Sequence, residues 1–297
     1  MTNNIKQAII IGGGPAGVSA ALYLARAGQK VCIIENGPGA LAKAHKIDNY
    51  YGIAASGAKL YAAGLEQARS LGVEILQDEV LGVEYTDCFT LSLKNTAGQL
   101  QTKALVLATG SKNITLNLPG LIELEGKGIS YCAVCDGFFF RKKNVAVLGN
   151  GAYALHEAAY LKQLAGSVTI LTNGQSGDAA KAAGFEVNTS VLQAVEGSGR
   201  LSSIRFTDGS TLAADGLFIA LGTADSTDMA RKLGAELNGR FIRIDGDGAT
   251  NIPGLFAAGD CTGGLMQVAK AVHEGARAGL TALKFLRQRQ AGENSNK

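Results

Sequence analysis

The sequence has no apolar run that approaches the ~20 residues needed to cross a bilayer. Its first residues, Met1–Asn4, carry no basic region ahead of the first apolar stretch, so we expect no secretory signal. Five cysteines in 297 residues are too few for a disulfide framework. These absences predict a reducing, cytoplasmic location and no membrane partner.

Strong charge is also missing. A net charge of +3 gives no reason to expect a nucleic-acid partner. Charged residues make up 18% of the chain and hydrophobic residues 46%, which favours buried cores over disorder. Glycine is abundant instead: its 40 residues are roughly double the average share of about 7%. The length and this composition predict two domains with many tight turns and backbone close to ligands.

One pattern of strand, glycine turn, helix and strand occurs twice. Its first copy consists of Gln7–Ile11, Gly12–Gly17, Pro15–Ala27 and Val31–Glu35, and its second copy of Asn144–Leu148, Gly149–Ala154, a helix to about Leu164, and Val168–Thr172. Continuous apolar strands joined by such turns are typical of parallel sheets that bind dinucleotides. The duplication therefore predicts an α/β chain with two Rossmann-like dinucleotide-binding domains.

A third glycine turn lies late in the chain, where the apolar stretch Leu255–Ala258 runs into Gly259 and Asp260. Glycine-rich segments at both ends of the chain suggest that the first domain is split. We expect this domain to comprise residues 1–113 and 244–297. The second domain, residues 114–243, would then be inserted into the first.

The first glycine turn has the spacing of a dinucleotide site. Gly12 allows the turn, Gly14 lets the backbone approach a pyrophosphate, and Gly17 permits close packing of helix on strand. The helix N-terminus that follows attracts phosphate. Glu35 ends the next strand, 23 positions after Gly12, where a carboxylate can accept hydrogen bonds from ribose hydroxyls.

Cys132 and Cys135 have the spacing of a redox pair. Two intervening residues let the sulfurs meet at the start of a helix, where the thiolate of the first cysteine is favoured. Asp136 follows directly and can donate or accept a proton as dithiol and disulfide interconvert. Half of a zinc site is the alternative, but the three histidines, at 45, 156 and 273, are scattered, so we expect no metal.

At these residues the chain resembles the low-molecular-weight thioredoxin reductase family of flavoproteins. Four motifs carry the resemblance: Gly12–Gly17, Ala108-Thr109-Gly110, Tyr131–Gly137 and Ala257–Asp260. The resemblance implies an FAD site with Gly12, Gly14, Pro15, Ala16 and Gly17 at the pyrophosphate, Glu35 at the ribose, Val80 at the adenine, Asn49, Gln267 and Val268 at the flavin, Asp260 at the ribityl chain, and the motif residues Ala108, Thr109, Gly110 and Gly259.

The same resemblance implies roles for the redox pair. Cys135 would lie next to the flavin, Cys132 would attack the disulfide of a thioredoxin, and Asp136 would be the acid. It also implies a homodimer and a domain rotation that turns the dithiol from flavin to partner.

The second glycine turn departs from the family pattern. Gly149, Gly151 and Ala154 keep a dinucleotide turn, but Thr172 stands where the first copy has Glu35. The usual arginines for a 2′-phosphate are missing, since Lys181 is the single basic residue between 173 and 199. These features are similar to the pyridine-nucleotide-independent branch of the family. We therefore expect ferredoxin, or a second FAD in the inserted domain, rather than NADPH as the donor.

Three other functions stay open at this point. An NADPH-dependent thioredoxin reductase with an atypical site would need another way to hold the cofactor. A dithiol oxidase would run the same centre backwards to oxygen, but such enzymes typically carry histidine where this chain has Asp136. A non-catalytic flavin-binding redox sensor would show one reduction event and a partner complex instead of turnover.

Overall fold

The computed structural model describes residues 5–111 and 116–295. The chain folds as two compact units: unit 1 comprises Met1–Lys112 and Asp225–Lys297, and unit 2 comprises Asn113–Ala224. The predicted first join, at 113/114, lies outside the described residues. The second join is at 224/225, earlier than the predicted 243/244.

The elements follow the repeated pattern of the sequence. The first part of unit 1 contains β1 (Ile5–Ile11), α1 (Pro15–Arg26), β2 (Val31–Glu35), β3 (Ile47–Tyr50), β4 (Ile53–Ala55), α2 (Gly57–Ser70), β5 (Glu74–Gln77), β6 (Val80–Tyr85), β7 (Phe89–Leu93) and β8 (Gln99–Leu107). Unit 2 contains β9 (Ile129–Ser130), α3 (Ala133–Asp136), β10 (Asn144–Leu148), α4 (Ala152–Leu161), β11 (Ser167–Leu171), α5 (Asp178–Ala182), β12 (Glu186–Asn188), β13 (Leu192–Glu196), β14 (Ser203–Phe206), β15 (Thr211–Ala213) and β16 (Gly216–Ile219). Unit 1 resumes with α6 (Ser226–Lys232), β17 (Leu237–Asn238), β18 (Phe241–Ile242), β19 (Leu255–Ala257) and α7 (Val268–Ser295).

Helix α6 explains the earlier second join. Its first residue, Ser226, exchanges hydrogen bonds with Thr109: the Ser226 N–H donates to Thr109 Oγ1 at 2.8 Å, and the Thr109 N–H donates to Ser226 Oγ at 3.0 Å. Both residues lie in unit 1, so these side-chain hydrogen bonds hold the segment from 225 onward in that unit. Such pairing leaves no periodic signal in the sequence.

Unit 1 is built on a mixed sheet in the order β5-β2-β1-β8-β7-β6, with β19 paired to β8. Strands β1, β2, β5, β8 and β19 run parallel, and β2 is buried along its whole length. Helix α7 lies close against α1 because it presents glycine there. A Cβ on Gly275 would stand 2.1 Å from the Ala16 carbonyl oxygen.

Unit 2 contains the second copy of the pattern. Its parallel sheet has the order β12-β11-β10-β16-β9, and β13, β14 and β15 form an antiparallel sheet. The predicted fold class, two Rossmann-like domains with the second inserted into the first, is confirmed. Within residues 5–111 and 116–295, no helix has the length and apolar character of a bilayer span.

Candidate active site

The first glycine turn requires glycine at two positions for packing. Gly12 has a φ of +115°, and a Cβ there would lie 2.3 Å from the Ala108 carbonyl oxygen. A Cβ on Gly17 would lie 1.9 Å from the Gly12 carbonyl oxygen. The turn, the start of α1 and the predicted Ala108 loop are therefore held together by backbone that approaches too closely for any side chain.

Gly14 is different, because packing does not require it. Its φ of −74° and ψ of −178° suit any residue, and no protein atom in the described ranges lies within 4 Å of a Cβ placed there. It is the N-cap of α1, with Pro15 and Ala16 in the first turn. An open face and a helix N-terminus without a side-chain cap in the described structure together fit a phosphate group. This turn thus meets the requirements of the FAD pyrophosphate.

Glu35 lies at the end of β2 and is 7% exposed. It accepts two hydrogen bonds through one of its carboxylate oxygens. Its Oε2 accepts the Gly37 N–H at 2.7 Å and a very short hydrogen bond from the Tyr61 hydroxyl. Burial, followed by the hydrogen bond to Glu35, raises the pKa of Tyr61, so Tyr61 remains a donor. In the described part of the chain both contacts use Oε2, which leaves Oε1 to accept from a ribose.

Val80 begins β6, close to the ribose end of the turn. The Asp78 N–H donates to the Glu35 carbonyl at 3.0 Å, which links the segment before Val80 to the end of β2. Val80 is 4% exposed. The structure therefore brings this predicted adenine contact near Glu35.

The loops after β8 and β19 also meet the first turn. A Cβ on Gly259 would lie 3.0 Å from the Ala16 Cβ, and the Ala258 N–H donates to the Leu107 carbonyl at 3.0 Å. Ala108, Thr109 and Gly110 continue from Leu107, so both predicted loops lie at the carboxyl end of the parallel strands.

Two charged residues of α7, Lys270 and Glu274, contact Gly259, the residue before Asp260. The Lys270 ammonium donates to the Gly259 carbonyl at 2.8 Å, and Glu274 accepts the Gly259 N–H at 2.8 Å. Lys270 and Glu274 also form an ion pair of 3.0 Å. Burial raises the pKa of the Asp260 carboxyl, and Lys270 partly opposes the rise.

Asn49 and Gln267 form a second group in unit 1. The Asn49 side-chain amide donates to Gln267 Oε1 at 2.9 Å. Gln267 precedes α7, which begins at Val268, and both amides are exposed. Two of the three residues that the resemblance places at the flavin are thus brought together from distant parts of the sequence.

Cys132 and Cys135 form a disulfide with an S–S distance of 2.08 Å. Cys132 is the N-cap of α3, and its sulfur accepts the Cys135 N–H at 3.1 Å. The same N–H would stabilise a Cys132 thiolate after reduction. Cys132 is 1% exposed whereas Cys135 is exposed, so the two sulfurs differ in access.

The disulfide turn is held from outside by Ser130 and Glu157. Ser130 Oγ donates to Asp136 Oδ2 at 2.7 Å and accepts the Cys132 N–H at 3.1 Å. Glu157, on α4 and 2% exposed, accepts the Ala133 N–H at 2.9 Å. These contacts fix the Asp136 carboxylate and the start of α3 relative to the sulfurs.

An apolar surface and a cationic cavity adjoin the pair within unit 2. Phe138 and Phe139 are 65% and 69% exposed, unusual values for phenylalanine. A cavity of about 550 Å³ reaches Asp136 and Ser130 and is also lined by Lys127, Lys143 and Arg200. The redox turn therefore lies between exposed aromatic rings and positive charge.

The second glycine turn repeats the backbone of the first. The Gly149 N–H donates to the Leu171 carbonyl at 2.9 Å, just as the Gly12 N–H donates to the Ile34 carbonyl at 2.8 Å. Leu171 and Ile34 are thus equivalent, and Thr172 occupies the position of Glu35. Gly151 is the N-cap of α4, whose first turn includes Ala154.

The ribose end of this second turn is occupied by the protein's own groups. Thr172 is 3% exposed, and its hydroxyl donates to the Gln175 carbonyl at 2.6 Å. The Asn150 amide donates to Gln175 Oε1 at 2.5 Å, which joins the glycine turn to the loop after β11. Neutral groups stand where a nicotinamide cofactor needs a carboxylate or an arginine.

Sequence reasoning missed several residues that shape these sites. Ser130 lies two positions before Cys132, and that proximity is a usable signal. Tyr61, Glu157, Lys270 and Glu274 are far in sequence from the groups that they contact, so no spacing points to them. The two remaining core cysteines, Cys32 and Cys261, are buried, and burial raises the pKa of each thiol to about 12.

Comparison with known proteins gives consistent matches over almost the whole chain. Residues 6–275 match the family described as pyridine nucleotide-disulphide oxidoreductase. A thioredoxin reductase of Peptoclostridium litorale is 34% identical over 96% of this chain and 98% of its own length.

Two solved structures are also similar. The atypical thioredoxin reductase TRi of Desulfovibrio vulgaris Hildenborough matches with a TM-score of 0.90 and 40% identity, covering 95% of this chain and 98% of that one. A ferredoxin-flavin thioredoxin reductase of Clostridium acetobutylicum matches with a TM-score of 0.71 and 28% identity, over 95% and 98% of the two chains.

Proposed function

Because this chain belongs to the pyridine nucleotide-disulphide oxidoreductase family and is a flavin thiol–disulfide oxidoreductase of the thioredoxin reductase type, we propose that it reduces a thioredoxin-type disulfide with electrons that do not come from NADPH. The curated relatives, which are thioredoxin reductases, support this acceptor. The observation that carries the choice of donor is the side-chain arrangement at Thr172, Asn150 and Gln175.

The residues of unit 1 fit FAD. Gly12, Gly14 and Gly17 would cradle the pyrophosphate at the start of α1, and Glu35 would accept from the ribose. Asp260 would bond the ribityl chain, and Asn49, Gln267 and Val268 would lie at the flavin. Bound FAD would supply the electron pair that reduces the Cys132–Cys135 disulfide.

The exchange with a partner follows from the chemistry of the pair. The Cys132 thiolate attacks one sulfur of the partner disulfide, which forms a mixed disulfide and releases a partner thiolate. The Cys135 sulfur then attacks Cys132, which restores the Cys132–Cys135 disulfide and releases the second partner thiolate. Each partner thiolate then takes up a proton, and Asp136 carries one of these two protons. Because Cys132 is buried, this attack requires a rearrangement that exposes its sulfur.

A partner protein would meet the surface beside the pair. Phe138 and Phe139 offer apolar area that is costly to leave in water, and burying each ring on docking would contribute about 1.5–3 kcal/mol. Lys127, Lys143 and Arg200 would attract acidic side chains of the partner.

At its described residues, the second glycine turn lacks the charged side chains that would hold a nicotinamide cofactor. A 2′-phosphate is best held by a bidentate arginine, and the ribose of NAD by a carboxylate. Thr172 and the Asn150–Gln175 pair supply neither. The intact backbone of the turn is compatible with a different nucleotide, so a second FAD is the alternative use of this unit.

A reduced ferredoxin is energetically sufficient. Thioredoxin lies at about −270 mV and a plant-type ferredoxin at about −400 mV. The gap of about 130 mV over two electrons is about 6 kcal/mol in favour of transfer. The similarity to a ferredoxin-flavin thioredoxin reductase supports this donor class.

Two further expectations remain predictions: a homodimer and a cytoplasmic location. Light scattering of the purified protein would give its mass directly. A monomer at micromolar concentration would remove the homodimer from the proposal without affecting the chemistry.

The acceptor proposal is tested by single turnover. The flavin is reduced photochemically without oxygen, oxidised thioredoxin is added, and new thiols are titrated. The wild-type protein should deliver two thiols per flavin-derived electron pair. Cys132→Ser should abolish delivery while keeping the bound flavin.

Cys88→Ser is the matched control, since it changes a cysteine of unit 1 that lies outside the pair. It should behave as wild type. If Cys132→Ser still reduces thioredoxin, the proposed route through the pair is wrong. A flavin-to-chain ratio near two would assign a second FAD to the protein.

A further inference from the structure

Ser130 occupies an unusual position beside the redox turn. It is 4% exposed at the end of β9, two residues before Cys132. Its hydroxyl oxygen accepts the Cys132 N–H at 3.1 Å and donates to Asp136 Oδ2 at 2.7 Å. One buried hydroxyl therefore joins the backbone of the first cysteine to the carboxylate that follows the second.

The hydroxyl also has a second acceptor within reach. The Cys132 carbonyl lies 3.3 Å from Ser130 Oγ. A serine hydroxyl has one proton and two lone pairs, so it can donate to one acceptor at a time while accepting from two donors. When Asp136 is ionised, the proton of Ser130 points to the carboxylate. When Asp136 is protonated, Ser130 can accept from it and turn its own proton to the Cys132 carbonyl.

Ser130 can thus hold Asp136 in both protonation states. That property is needed by an acid that must gain and lose a proton in every cycle, and a purely structural serine has no use for it. The cavity of about 550 Å³ is lined by both Ser130 and Asp136, which gives the carboxyl group a route for proton exchange with solvent. Hydrogen bonds to a charged acceptor are shorter and about twice as strong as neutral ones.

We infer that Ser130 is a positioning residue for proton transfer by Asp136, an inference that rests on the proposed function of the pair. As the Cys135 sulfur attacks Cys132 in the mixed disulfide, its proton passes to Asp136. Asp136 then gives that proton to the departing partner thiolate, while the electron pair leaves with the partner sulfur. Ser130 keeps the carboxylate in place and undergoes no net protonation.

The test is single-turnover reduction of thioredoxin by the photoreduced flavoprotein, over a range of thioredoxin concentrations. Ser130→Ala should lower the limiting rate about tenfold, the effect expected for one charge-assisted hydrogen bond. The half-saturating thioredoxin concentration should not change, because Ser130 is buried. Ser130→Thr keeps the hydroxyl and should restore most of the rate.

Ser190→Ala is the matched control. Ser190 donates to Asp208 Oδ2 at 2.7 Å, so this variant removes a serine–aspartate hydrogen bond of the same length elsewhere in unit 2. It should transfer electrons at the wild-type rate. Flavin content and melting temperature of each variant show whether it is folded.

A double-mutant cycle with Asp136→Asn separates positioning from a general structural effect. If Ser130 acts through Asp136, adding Ser130→Ala to Asp136→Asn should slow transfer by less than about twofold. Independent effects that multiply would overturn the inference, as would a Ser130→Ala protein with the wild-type rate. If Ser130→Ala does not fold, the rate of Ser130→Thr tests the inference instead. A Ser130→Thr rate well below that of the wild type would then contradict the inference.

Failure of the proposed function itself has a different signature. A wild-type protein that delivers no thiols to thioredoxin, or an Asp136→Asn protein that delivers them at the wild-type rate, would overturn the assigned chemistry and this inference together. Normal wild-type transfer that depends on Asp136 but not on Ser130 would overturn the inference alone.

Discussion

The two glycine turns of this chain share a backbone and differ in their side chains. In both, the N–H of the first glycine donates a hydrogen bond to a carbonyl of the strand that follows the helix. In both, the N-cap of that helix is also a glycine. In the first turn the next strand ends on Glu35, which a tyrosine and a backbone amide hold in place. In the second turn the next strand is followed by Thr172, whose hydroxyl donates a hydrogen bond to the Gln175 carbonyl. The two turns therefore offer a nucleotide the same backbone shape, and we propose that the ribose-end side chain decides which nucleotide binds.

The largest difference between the two turns is expected when the first glycine of each is changed to alanine. A Cβ on Gly12 would lie 2.3 Å from the Ala108 oxygen, and one on Gly149 would lie 2.2 Å from the Ala220 oxygen. Each alanine would cost about 1–3 kcal/mol in backbone strain and about 1–3 kcal/mol in overpacking. Gly12→Ala should lose nearly all flavin, and Gly149→Ala should keep the wild-type flavin-to-chain ratio. Equal losses would mean that both turns hold flavin.

A milder exchange compares the two ribose ends. Glu35→Gln removes the charge but keeps an acceptor for Tyr61, and loss of a charged hydrogen bond costs about 1.5–3 kcal/mol. The dissociation constant of FAD should therefore rise about 10- to 100-fold, as measured by fluorescence of released flavin. Thr172→Val in the second turn should leave it unchanged. An effect of Thr172→Val as large as that of Glu35→Gln would contradict the difference between the turns.

The comparison can also be tested in reverse, by giving the second turn what the first one has. The double change Thr172→Glu and Gln175→Ala places a carboxylate at the ribose end and removes the group that occupies it. NADH should then bind with a dissociation constant about tenfold lower than for the wild-type protein, as measured by calorimetric titration. Gln175→Ala alone is the control and should gain less. No gain from the carboxylate would show that another feature excludes NADH.

The smallest effect is a difference in pH dependence between the units. Burial raises the pKa of Asp260 in unit 1. Its contribution to the stability of the flavin-free protein is therefore full below the pKa of the unfolded chain, about 4. That contribution is lost as the pH rises through the higher pKa of the folded protein. Asp208 in unit 2 behaves oppositely: hydrogen bonds from Ser210 and Ser190 lower its pKa to about 2. Its contribution is present above about pH 4 and is lost as the pH falls towards 2.

Melting curves of the flavin-free protein check both signs. Asp260→Asn should flatten the change in melting temperature above about pH 4, and Asp208→Asn should flatten the change below it. A variant curve parallel to that of the wild type over its own pH range would contradict the assigned direction. The Asp260 variant is the more sensitive test, because solvent screens the exposed Asp208.

Much of the fold and part of the site could be predicted from the sequence, because both depend on local pattern. The apolar strands, the glycine turns and the capping of α3 by Cys132 follow from residues close together in the chain. The boundary at 224/225 could not be predicted, because Thr109 and Ser226 hold α6 through side-chain bonds across 117 positions. Tyr61 at Glu35 and Glu157 at Ala133 were missed for the same reason.

Anaerobic mixing of the purified protein with NADPH shows whether a nicotinamide cofactor can reduce the flavin, with chemically reduced ferredoxin as the parallel reaction. Flavin absorbance should stay constant with NADPH while ferredoxin bleaches it, and thiols should then appear on added thioredoxin. Prompt bleaching by NADPH, followed by thioredoxin reduction, would contradict the proposed donor and show that the second turn is a working nicotinamide site despite Thr172.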